Sequence, residues 1–359
     1  MERRLVELEA KGFRNLGPLH LRLGAGAHLV LGANGAGKTS LLEAIYLATT
    51  TRSFRTSQVS DCRRHGEASF WLAAEVEGVA RSRLEVVWDG GRLQRRVNGQ
   101  RTPLAQHLDV LPTVCWTTRD VEFLIGPPEE RRRFIDRGVV ASRPTLLADY
   151  TRYRRALEAK RRLLTEGKGA DEIAVWNQLL ADSAAVLIQH RARYVERLRS
   201  ALADTLEACR LEFPGIEIEY RPSPRNGVEG RDALLETLAE SLERERKLER
   251  PLHGPHRDEL VIRWDDHPIR RVASAGERKA LGLVCFAAQG RLLAEDGRAP
   301  LYLLDDADSE LDRERLGALW RVFGQAHQVL ATSNRREIWE GLEIAHRWRC
   351  EAGELAAEG

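Results

Sequence analysis

The chain has 359 residues, of which 43% are hydrophobic and 31% charged, enough for a sizeable core and about two domains. No run approaches the about 18 apolar residues of a membrane-spanning helix. The charged N-terminus, MERRLVELEAKG, lacks the apolar core of a signal peptide. The five cysteines form no CxxC pair, which argues against a zinc site or a disulfide framework and predicts a cytoplasmic protein.

The formal net charge of +2 conceals an uneven distribution along the chain. Residues 1–165 carry 28 Lys and Arg against 18 Asp and Glu, whereas residues 166–359 carry 28 against 36. The basic first part is compatible with a polyanionic partner, although a solvated arginine surface would give the same composition.

The chain divides into three regions with different sequence patterns. The first hundred residues predict short strands at LVELE, LHLRL, HLVLG, SFWLAAEV, RSRLEVVW and RLQRRV, with hairpin turns at DGG (89–91) and NG (98–99). Helical spacing occupies 129–210, with one break at 166–171, and resumes over 231–249. The remainder predicts a strand at 259–264, a helix at 275–294 and buried strands at LYLLD and QVLAT.

We therefore predict an α/β fold in which both ends of the chain, 1–126 and 253–359, form one lobe. Residues 127–252 form an inserted, mainly helical lobe. No heptad pattern is long enough to project a long coiled coil from this insertion.

A glycine-rich stretch between an apolar strand and an amphipathic helix fits the pattern G-x-x-x-x-G-K-[ST]. Glycines bring backbone N–H groups close to phosphate oxygens, and the following helix directs its N-terminus at the same anion. A plain glycine turn is the alternative, but the strand–loop–helix setting favours a nucleotide site. The predicted cradle consists of Gly32, Ala33, Asn34, Gly35, Ala36, Gly37, Lys38, Thr39 and Ser40.

An acidic segment, PLYLLDDADSELD (300–312), supplies what the cradle lacks. Asp305 is the candidate partner of Mg²⁺ together with the Thr39 hydroxyl, and Asp306 would orient or deprotonate the attacking water. The alternative interpretation is a strand that ends in an acidic turn, and without the glycine-rich cradle this would be the commoner case. Asp305 follows Lys38 by 267 positions, so a large module interrupts the nucleotide-binding fold.

The stretch Ser274-Ala-Gly276-Glu277 allows two interpretations. It predicts a capping box at the start of a helix, or a second helix N-terminus whose hydroxyl and N–H groups hold a γ-phosphate. The capping box is favoured by the four residues alone. The second interpretation is favoured by the order along the chain: cradle, helical insertion, serine motif, acid strand and SELD (309–312).

This order of motifs resembles ATP-binding-cassette ATPases of the SMC type and, within them, the RecF family of bacterial recombination-mediator ATPases. The resemblance covers nearly the whole chain. Besides the cradle, it rests on KGFRNL (11–16), RSFR (52–55), GPPEERRRFIDR (126–137), HGPHRDEL (253–260), SAGERKAL (274–281) and LLDDADSELD (303–312).

The resemblance implies ATP and Mg²⁺ as cofactors and assigns roles by position. Lys38 and Thr39 would be the Walker A residues, and Asp305 the Walker B aspartate. Ser274, with Gly276 beside it, would act on the nucleotide of a second copy of the chain. The residues expected at the borders of the site are Arg14, Asn15 and Asp312, the last at the end of the loop between subunits.

The sequence departs from the cassette pattern at four places, and the last three of these departures suggest slow hydrolysis. The serine motif reads SAGE where transporters commonly have SGGQ, and Ser333 stands in the place of the switch histidine. The segment 114–123 has no obvious glutamine, and Asp306 occupies a position where many of these ATPases have glutamate.

Scattered arginines are candidates for phosphate contacts with DNA, which require positive charge but no particular motif. From the residues alone, a solvated surface is the simpler interpretation, and the family resemblance favours DNA. The candidates are Arg63, Arg64, Arg95, Arg96, Arg152, Arg155 and Arg161. Helix packing, rather than base stacking, is expected for Tyr150 and Tyr153, and a structural loop rather than a metal pair for His253 and His256.

The resemblance further implies that ATP drives homodimerisation, that the dimer binds DNA at gaps or single-strand/double-strand junctions, and that hydrolysis resets it. Partners would be RecR, RecO and the recombinase, in DNA repair, replication and the SOS response. Two alternatives remain open: an ATP-gated scaffold that does not hydrolyse ATP, and a transporter-type ATPase subunit.

Overall fold

The computed structural model describes residues 3–224 and 230–358, which divide into two compact units. The first unit comprises Met1–Val121, Ser200–Phe213 and Ala273–Gly359, and the second comprises Glu122–Arg199 and Pro214–Val272. None of the helices in the described ranges combines the length and apolar composition needed to cross a bilayer.

The elements alternate between the two units along the chain. As far as residue 121 they are β1 (Arg4–Lys11), β2 (Leu19–Arg22), β3 (Gly26–Leu31), α1 (Lys38–Thr50), β4 (Phe70–Glu77), β5 (Ser82–Trp88), β6 (Leu93–Val97), β7 (Gln100–Arg101), α2 (Leu104–Val110) and β8 (Thr113–Trp116). Next come α3 (Glu122–Ile125), α4 (Pro128–Ser142), α5 (Leu147–Thr165), α6 (Ala170–Cys209), β9 (Ile216–Arg221), α7 (Arg231–Glu240), α8 (Leu242–Leu248), β10 (Glu259–Trp264), β11 (His267–Pro268) and α9 (Ile269–Val272). The last are α10 (Ala275–Glu295), β12 (Leu301–Leu304), α11 (Arg313–Phe323), β13 (Gln328–Ser333), β14 (His346–Glu351) and β15 (Glu354–Glu358).

Two six-stranded sheets form the first unit, and α1 packs against both of them. One sheet is antiparallel, with the order β2-β1-β4-β5-β6-β7, and the other has the order β15-β14-β3-β13-β12-β8. Leu41, Leu42 and Ile45 of α1 are fully buried in one core with side chains of both sheets. The helix is buried on more than one side because it lies within this core and not on a surface.

The second sheet determines where the motifs meet. Strands β14, β3, β13, β12 and β8 run parallel to their neighbours, and β15 alone is antiparallel. The glycine loop follows β3 and the acid segment follows β12, with β13 between them. Carboxyl ends of parallel strands meet at one edge of a sheet, which is where open α/β sheets bind ligands.

Most predicted elements of the first unit are confirmed. The hairpin of β6 and β7 illustrates how a local sequence signal determines the structure. Asn98 and Gly99 have φ angles of 52° and 79°, and they connect β6 to β7, whose residues Val97 and Gln100 are paired. A two-residue turn with both φ angles positive is type I′, and Asn-Gly is its preferred sequence.

The second unit contains helices α3 to α9 and a three-stranded antiparallel sheet, β11-β10-β9. The prediction of a single break in its helical region is wrong. A second break lies at 143–146, between the end of α4 and the start of α5. Arg143 has φ −141° and ψ 80°, since the residue before a proline, here Pro144, is disfavoured in the helical conformation.

The observed units differ from the predicted boundaries at three places, the first of which is 122–126, which belongs to the second unit. Residues 253–272 belong to the second unit because β10 pairs along its length with β9. The end of α6 and the residues that follow it belong to the first unit, in which the Arg321 guanidinium donates to the carbonyl oxygen of Cys209 at 3.0 Å.

Candidate nucleotide-binding site

The glycine loop of residues 32–37 connects β3 directly to α1. Gly35 and Gly37 have φ angles of 79° and 118°, which favour glycine over any other residue. Helix α1 begins at Lys38 with no side-chain cap, so its first N–H groups are available to an anion. Residues 33–35 are exposed, whereas Gly37 and Lys38 are buried.

The Lys38 side chain folds over this loop. Its ammonium donates hydrogen bonds to the carbonyl oxygens of Gly32, at 2.9 Å, and Ala33, at 3.1 Å. The positive charge therefore lies against the loop, and phosphate oxygens could accept the same hydrogens.

Thr39 and Asp305, which are far apart in sequence, are in contact. The Thr39 hydroxyl donates to Asp305 Oδ1 at 3.0 Å, and Thr332 of β13 donates to the same oxygen at 2.9 Å. Burial raises the pKa of Asp305, the neighbouring Asp306 carboxylate raises it further, and the two hydroxyls and Lys38 oppose this rise. A hydroxyl and a carboxylate at this spacing fit Mg²⁺, which prefers oxygen ligands and few protein groups.

The backbone of Asp306 is held on both sides. Its φ of 47° lies in the left-handed region, which is unfavourable for a residue with a side chain. Its N–H donates to Thr332 Oγ1 at 3.0 Å, and its carbonyl oxygen accepts from the Lys279 ammonium at 2.8 Å. Burial lowers the pKa of Lys279 to about 8, although Glu310 and the acidic residues at 305, 306 and 308 favour the charged form.

The opening motif KGFRNL reaches the loop through Asn15. The Asn15 amide donates to the carbonyl oxygen of Gly35 at 3.0 Å, and its carbonyl accepts from the Ser40 hydroxyl at 2.7 Å. The adjacent Arg14 guanidinium forms two hydrogen bonds, at 2.8 and 2.7 Å, with the buried carboxylate of Glu43 on α1. Asn15 thus contacts the cradle itself, whereas Arg14 braces the helix that follows it.

The C-terminal hairpin β14–β15 also contacts the glycine loop, and sequence reasoning missed this. The Gly353 N–H and the Cys350 thiol both donate to the carbonyl oxygen of Ala36, at 2.7 and 3.2 Å. Gly353 has φ 84°, and an added Cβ would lie closer than 3.0 Å to the carbonyl oxygen of Asn15. A turn glycine was recognisable in CEAGE, but its approach to a loop more than 300 positions earlier was not.

Ser274 begins α10 with the predicted capping box. Its hydroxyl accepts from the Glu277 N–H, and the Glu277 carboxylate accepts from the Ser274 N–H at 2.8 Å. Ser274 is exposed, and among the residues described here its hydrogen bonds do not involve the glycine loop of the same chain. Gly276 is close to the 306–312 segment, since an added Cβ would lie 3.1 Å from the carbonyl oxygen of Glu310.

Two further positions border the acid segment. Asp312 is exposed and caps α11, accepting from the Arg315 N–H at 2.7 Å. Ser333, at the place of the switch histidine, is buried and donates to Asp308 Oδ2 at 2.7 Å. The next residue, Asn334, donates to Asn34 of the glycine loop at 3.1 Å.

The seven DNA candidates are divided between the two units. Four lie in the first unit and three on α5 of the second. The Arg63 guanidinium stacks on Trp88, 4.7 Å from the ring centroid, and Arg95 donates to the Thr102 carbonyl oxygen at 2.9 Å. Arg152 pairs with Asp149 at 2.8 Å. The exposed candidates are Arg64, Arg96, Arg152, Arg155 and Arg161.

The expected packing of Tyr150 and Tyr153 is confirmed, and His256 has a structural partner, whereas the expectation for His253 stays a prediction. Tyr153 is buried, and its hydroxyl lies 2.6 Å from His256 Nδ1, while Tyr150 donates to Asp136 at 2.6 Å. Burial lowers the pKa of His256 to about 3. These side chains pack inside the unit and are not a surface for bases.

The described strand–loop–helix, acid strand and serine-capped helix can be compared with known proteins. The RecF/RecN/SMC N terminal domain family matches residues 4–352. The chain is 34% identical over 346 residues to a DNA replication and repair protein RecF from Anaeromyxobacter sp. (strain Fw109-5), covering 93% of this chain and 94% of the relative. This chain belongs to the RecF family. A RecF from Escherichia coli O1:K1 / APEC is 32% identical over 319 residues, 88% of each chain.

Solved structures support the same assignment. The RecF-family chain matches a structure of the recombination mediator protein RecF-ATP in the RecFOR pathway, with a TM-score of 0.89 and 26% identity, covering 100% of this chain and 98% of the other. It also matches an Smc head bound to the C-winged helix domain of ScpA, with a TM-score of 0.58 and 17% identity, a likeness of fold. The predicted ABC/SMC-type ATPase head is therefore confirmed.

Proposed function

We propose that this RecF-family chain is an ATP-dependent DNA-binding protein of recombinational repair that hydrolyses ATP slowly. The observation that carries the proposal is the 3.0 Å hydrogen bond between Thr39 Oγ1 and Asp305 Oδ1. It joins the first turn of α1 to the acid segment at one sheet edge, as a Mg-ATP site requires. The similarity to a RecF structure solved with ATP supports the same ligand.

Each side chain of the cradle has a distinct part in this proposal. Backbone N–H groups of the glycine loop and of the first turn of α1 would donate hydrogen bonds to the phosphate oxygens. Lys38 would exchange its bonds to loop carbonyls for bonds to phosphate oxygens. Thr39 and Asp305 would hold Mg²⁺, which neutralises phosphate charge when it is bound. The described residues contain no group of three His, Cys, Asp or Glu that could hold a metal, so phosphate and water oxygens would complete its coordination.

Asp306 is proposed to orient or deprotonate the attacking water. It follows Asp305 directly, its side chain is only partly buried, and its backbone is fixed by Thr332 and Lys279. Aspartate is one methylene shorter than the glutamate that many cassette ATPases use. A carboxylate that reaches the water less well, together with a buried Ser333 in place of a histidine, supports slow turnover.

A complete site is proposed to need two copies of the chain. Ser274 is exposed at the N-terminus of a 21-residue helix, where backbone N–H groups favour an anion. Within the described part of the chain, the hydrogen bonds of its side chain are made with Glu277 of the same capping box. We therefore infer that Ser274, with Gly276, reaches the γ-phosphate held by a partner copy, and that Asp312 lies between the copies. ATP would then drive formation of the homodimer.

DNA and protein partners are proposed on the basis of the family. Relatives carry the name DNA replication and repair protein RecF, and one matched structure is of a recombination mediator in the RecFOR pathway. We propose that the ATP-bound dimer binds DNA at gaps or single-strand/double-strand junctions through exposed arginines. There it would assist recombinase loading with RecR and RecO, and contribute to replication and the SOS response. Hydrolysis would release it.

The Asp306→Asn variant tests this proposal most simply. It retains the shape of the side chain and removes its capacity to take a proton, so phosphate release should stop while ATP-dependent dimers accumulate in sedimentation. Asp296→Asn, an exposed change at the end of α10, serves as the matched control and should behave as wild type. Phosphate release by Asp306→Asn at the wild-type rate would contradict the catalytic role, and no release from either protein would favour the ATP-gated scaffold.

A further inference from the structure

Lys279 is a buried lysine that links the serine-tipped helix to the acid segment. It lies on α10, five positions after Ser274, and is 3% exposed. Its ammonium donates to the carbonyl oxygen of Asp306 at 2.8 Å and also to the hydroxyl of Ser309. One charged group thus holds two points of the segment that runs from Asp305 to Asp312.

The position of this ammonium accounts for an unfavourable backbone. Asp306 has a left-handed φ of 47°, and such conformations persist only where the surroundings enforce them. Thr332 accepts from the Asp306 N–H, and Lys279 donates to its carbonyl oxygen. Without the ammonium, the part-buried carbonyl would lack its charged donor, and the backbone of Asp306 could relax toward a more favourable conformation. The direction of the Asp306 carboxylate would change with it.

We propose that Lys279 is a positioning residue that couples Ser274 to Asp306. The inference rests on the proposed two-copy site. In that arrangement, Ser274 contacts the nucleotide of the partner copy, whereas Asp306 acts on the nucleotide held by its own chain. About one and a half helical turns separate Ser274 from Lys279, and a buried helix moves as a rigid element. When Ser274 contacts the triphosphate held by the partner copy, α10 shifts. Lys279 therefore transmits this shift to Asp306 of the same chain, which acts on the nucleotide that this chain holds.

The Lys279→Met variant tests this role because methionine retains an unbranched apolar stem and removes the ammonium. Its matched control is Lys160→Met, which removes another buried ammonium, paired with Glu245 at 2.6 Å in the second unit. Both variants remove a buried ammonium together with its contacts. Only the ammonium of Lys279 contacts the acid segment. Four quantities are measured: affinity for ATP, ATP-dependent sedimentation, turnover, and hydrogen–deuterium exchange of residues 305–312 in nucleotide-free protein.

We expect Lys279→Met to bind ATP within about twofold of wild type and to dimerise, while its turnover falls about tenfold or more, since a charged hydrogen bond is lost. Exchange of residues 305–312 should rise even without nucleotide. Lys160→Met should lose stability but retain wild-type turnover and wild-type exchange over 305–312. Turnover of Lys279→Met that equals wild type, or that falls only in step with ATP affinity, overturns the inference.

A second variant covers the case in which Lys279→Met does not fold. Ser309→Ala removes one acceptor of the ammonium and leaves no charge uncompensated, so it should fold and reduce turnover about fivefold, the value of one net hydrogen bond. Wild-type turnover in Ser309→Ala, with wild-type exchange over 305–312, would count against the inference. Wild-type protein that neither binds nor hydrolyses ATP would refute the proposed function instead.

Discussion

Replacing Gly353 by alanine should weaken ATP binding, although this residue lies in the C-terminal hairpin and outside every nucleotide-binding motif. Gly353 has φ 84°, and an added Cβ would lie under 3.0 Å from the Asn15 carbonyl oxygen and 3.1 Å from Leu16 Cα. Gly66 provides the matched control. It has φ 85°, and within the described part of the chain no atom lies within 4 Å of an added Cβ.

The difference between the two variants isolates the close approach. Both pay the cost of a left-handed alanine, about 1–2 kcal/mol. At Gly353 the turn must also shift on the order of 1 Å to relieve the contact, since packed interiors do not tolerate such an overlap. That shift would break the 2.7 Å hydrogen bond from Gly353 to Ala36 and release one side of the glycine loop. Losing the Gly353–Ala36 hydrogen bond costs about 1 kcal/mol, and the displaced glycine loop binds phosphate less well. Together these effects predict that ATP affinity falls about tenfold.

Titration with a fluorescent ATP analogue measures this affinity, and thermal melting without nucleotide reports the folding cost. Gly66→Ala should bind as wild type, with a lower melting temperature. Gly353→Ala should bind about tenfold more weakly. Equal nucleotide affinity in the two alanine variants would refute the view that the C-terminal hairpin positions the glycine loop.

Three further predictions concern pH, a buried ion network and salt. Burial lowers the pKa of His107 to about 4, below about 6.5 in the unfolded chain, so the unfolded state binds more protons between these values. His107 alone should therefore lower the stability by about 2 kcal/mol at pH 5 relative to neutral pH, and His107→Gln should remove this part of the pH dependence in urea denaturation. Arg191→Met should lower the free energy of unfolding by about 3–5 kcal/mol. The reason is that the buried Asp258 carboxylate, which Arg191 contacts at 2.7 Å, loses its cation. Arg199→Met, an exposed change on the same helix, should lower it by less than about 0.5 kcal/mol. DNA affinity of the ATP-bound protein should fall steeply between 50 and about 200 mM salt, and a flat response would exclude phosphate contacts by the exposed arginines.

Local signals in the sequence predicted the central elements of the fold. The strand, the glycine loop and α1 lie within one continuous stretch, so each neighbouring residue reinforces the interpretation of the next. The alternating strand at 259–264 was predicted with its observed bounds. The alternation of IEIEYR over 216–221 would have predicted β9 as well, and Pro144 would have predicted the break between α4 and α5.

Contacts between distant parts of the chain could not be predicted in the same way. The acid segment was assigned to the glycine loop by the chemistry of a metal–phosphate site, since spacing alone does not bring Thr39 and Asp305 together. Nothing in the local sequence indicates that Gly353 bonds to Ala36 or that Lys279 bonds to Asp306. Such contacts depend on the strand order of the second sheet and on the packing of α10, which only the folded chain shows.

Sedimentation of wild type and Ser274→Arg, each with and without ATP, tests the two-copy site most directly. Ser274 is exposed at the tip of α10, so a bulky cation there should block docking on a partner without disturbing the core. Wild type should sediment as a dimer only with ATP, and Ser274→Arg as a monomer throughout. The same monomer in all four samples, or ATP-dependent dimers of Ser274→Arg as abundant as those of wild type, would contradict the account.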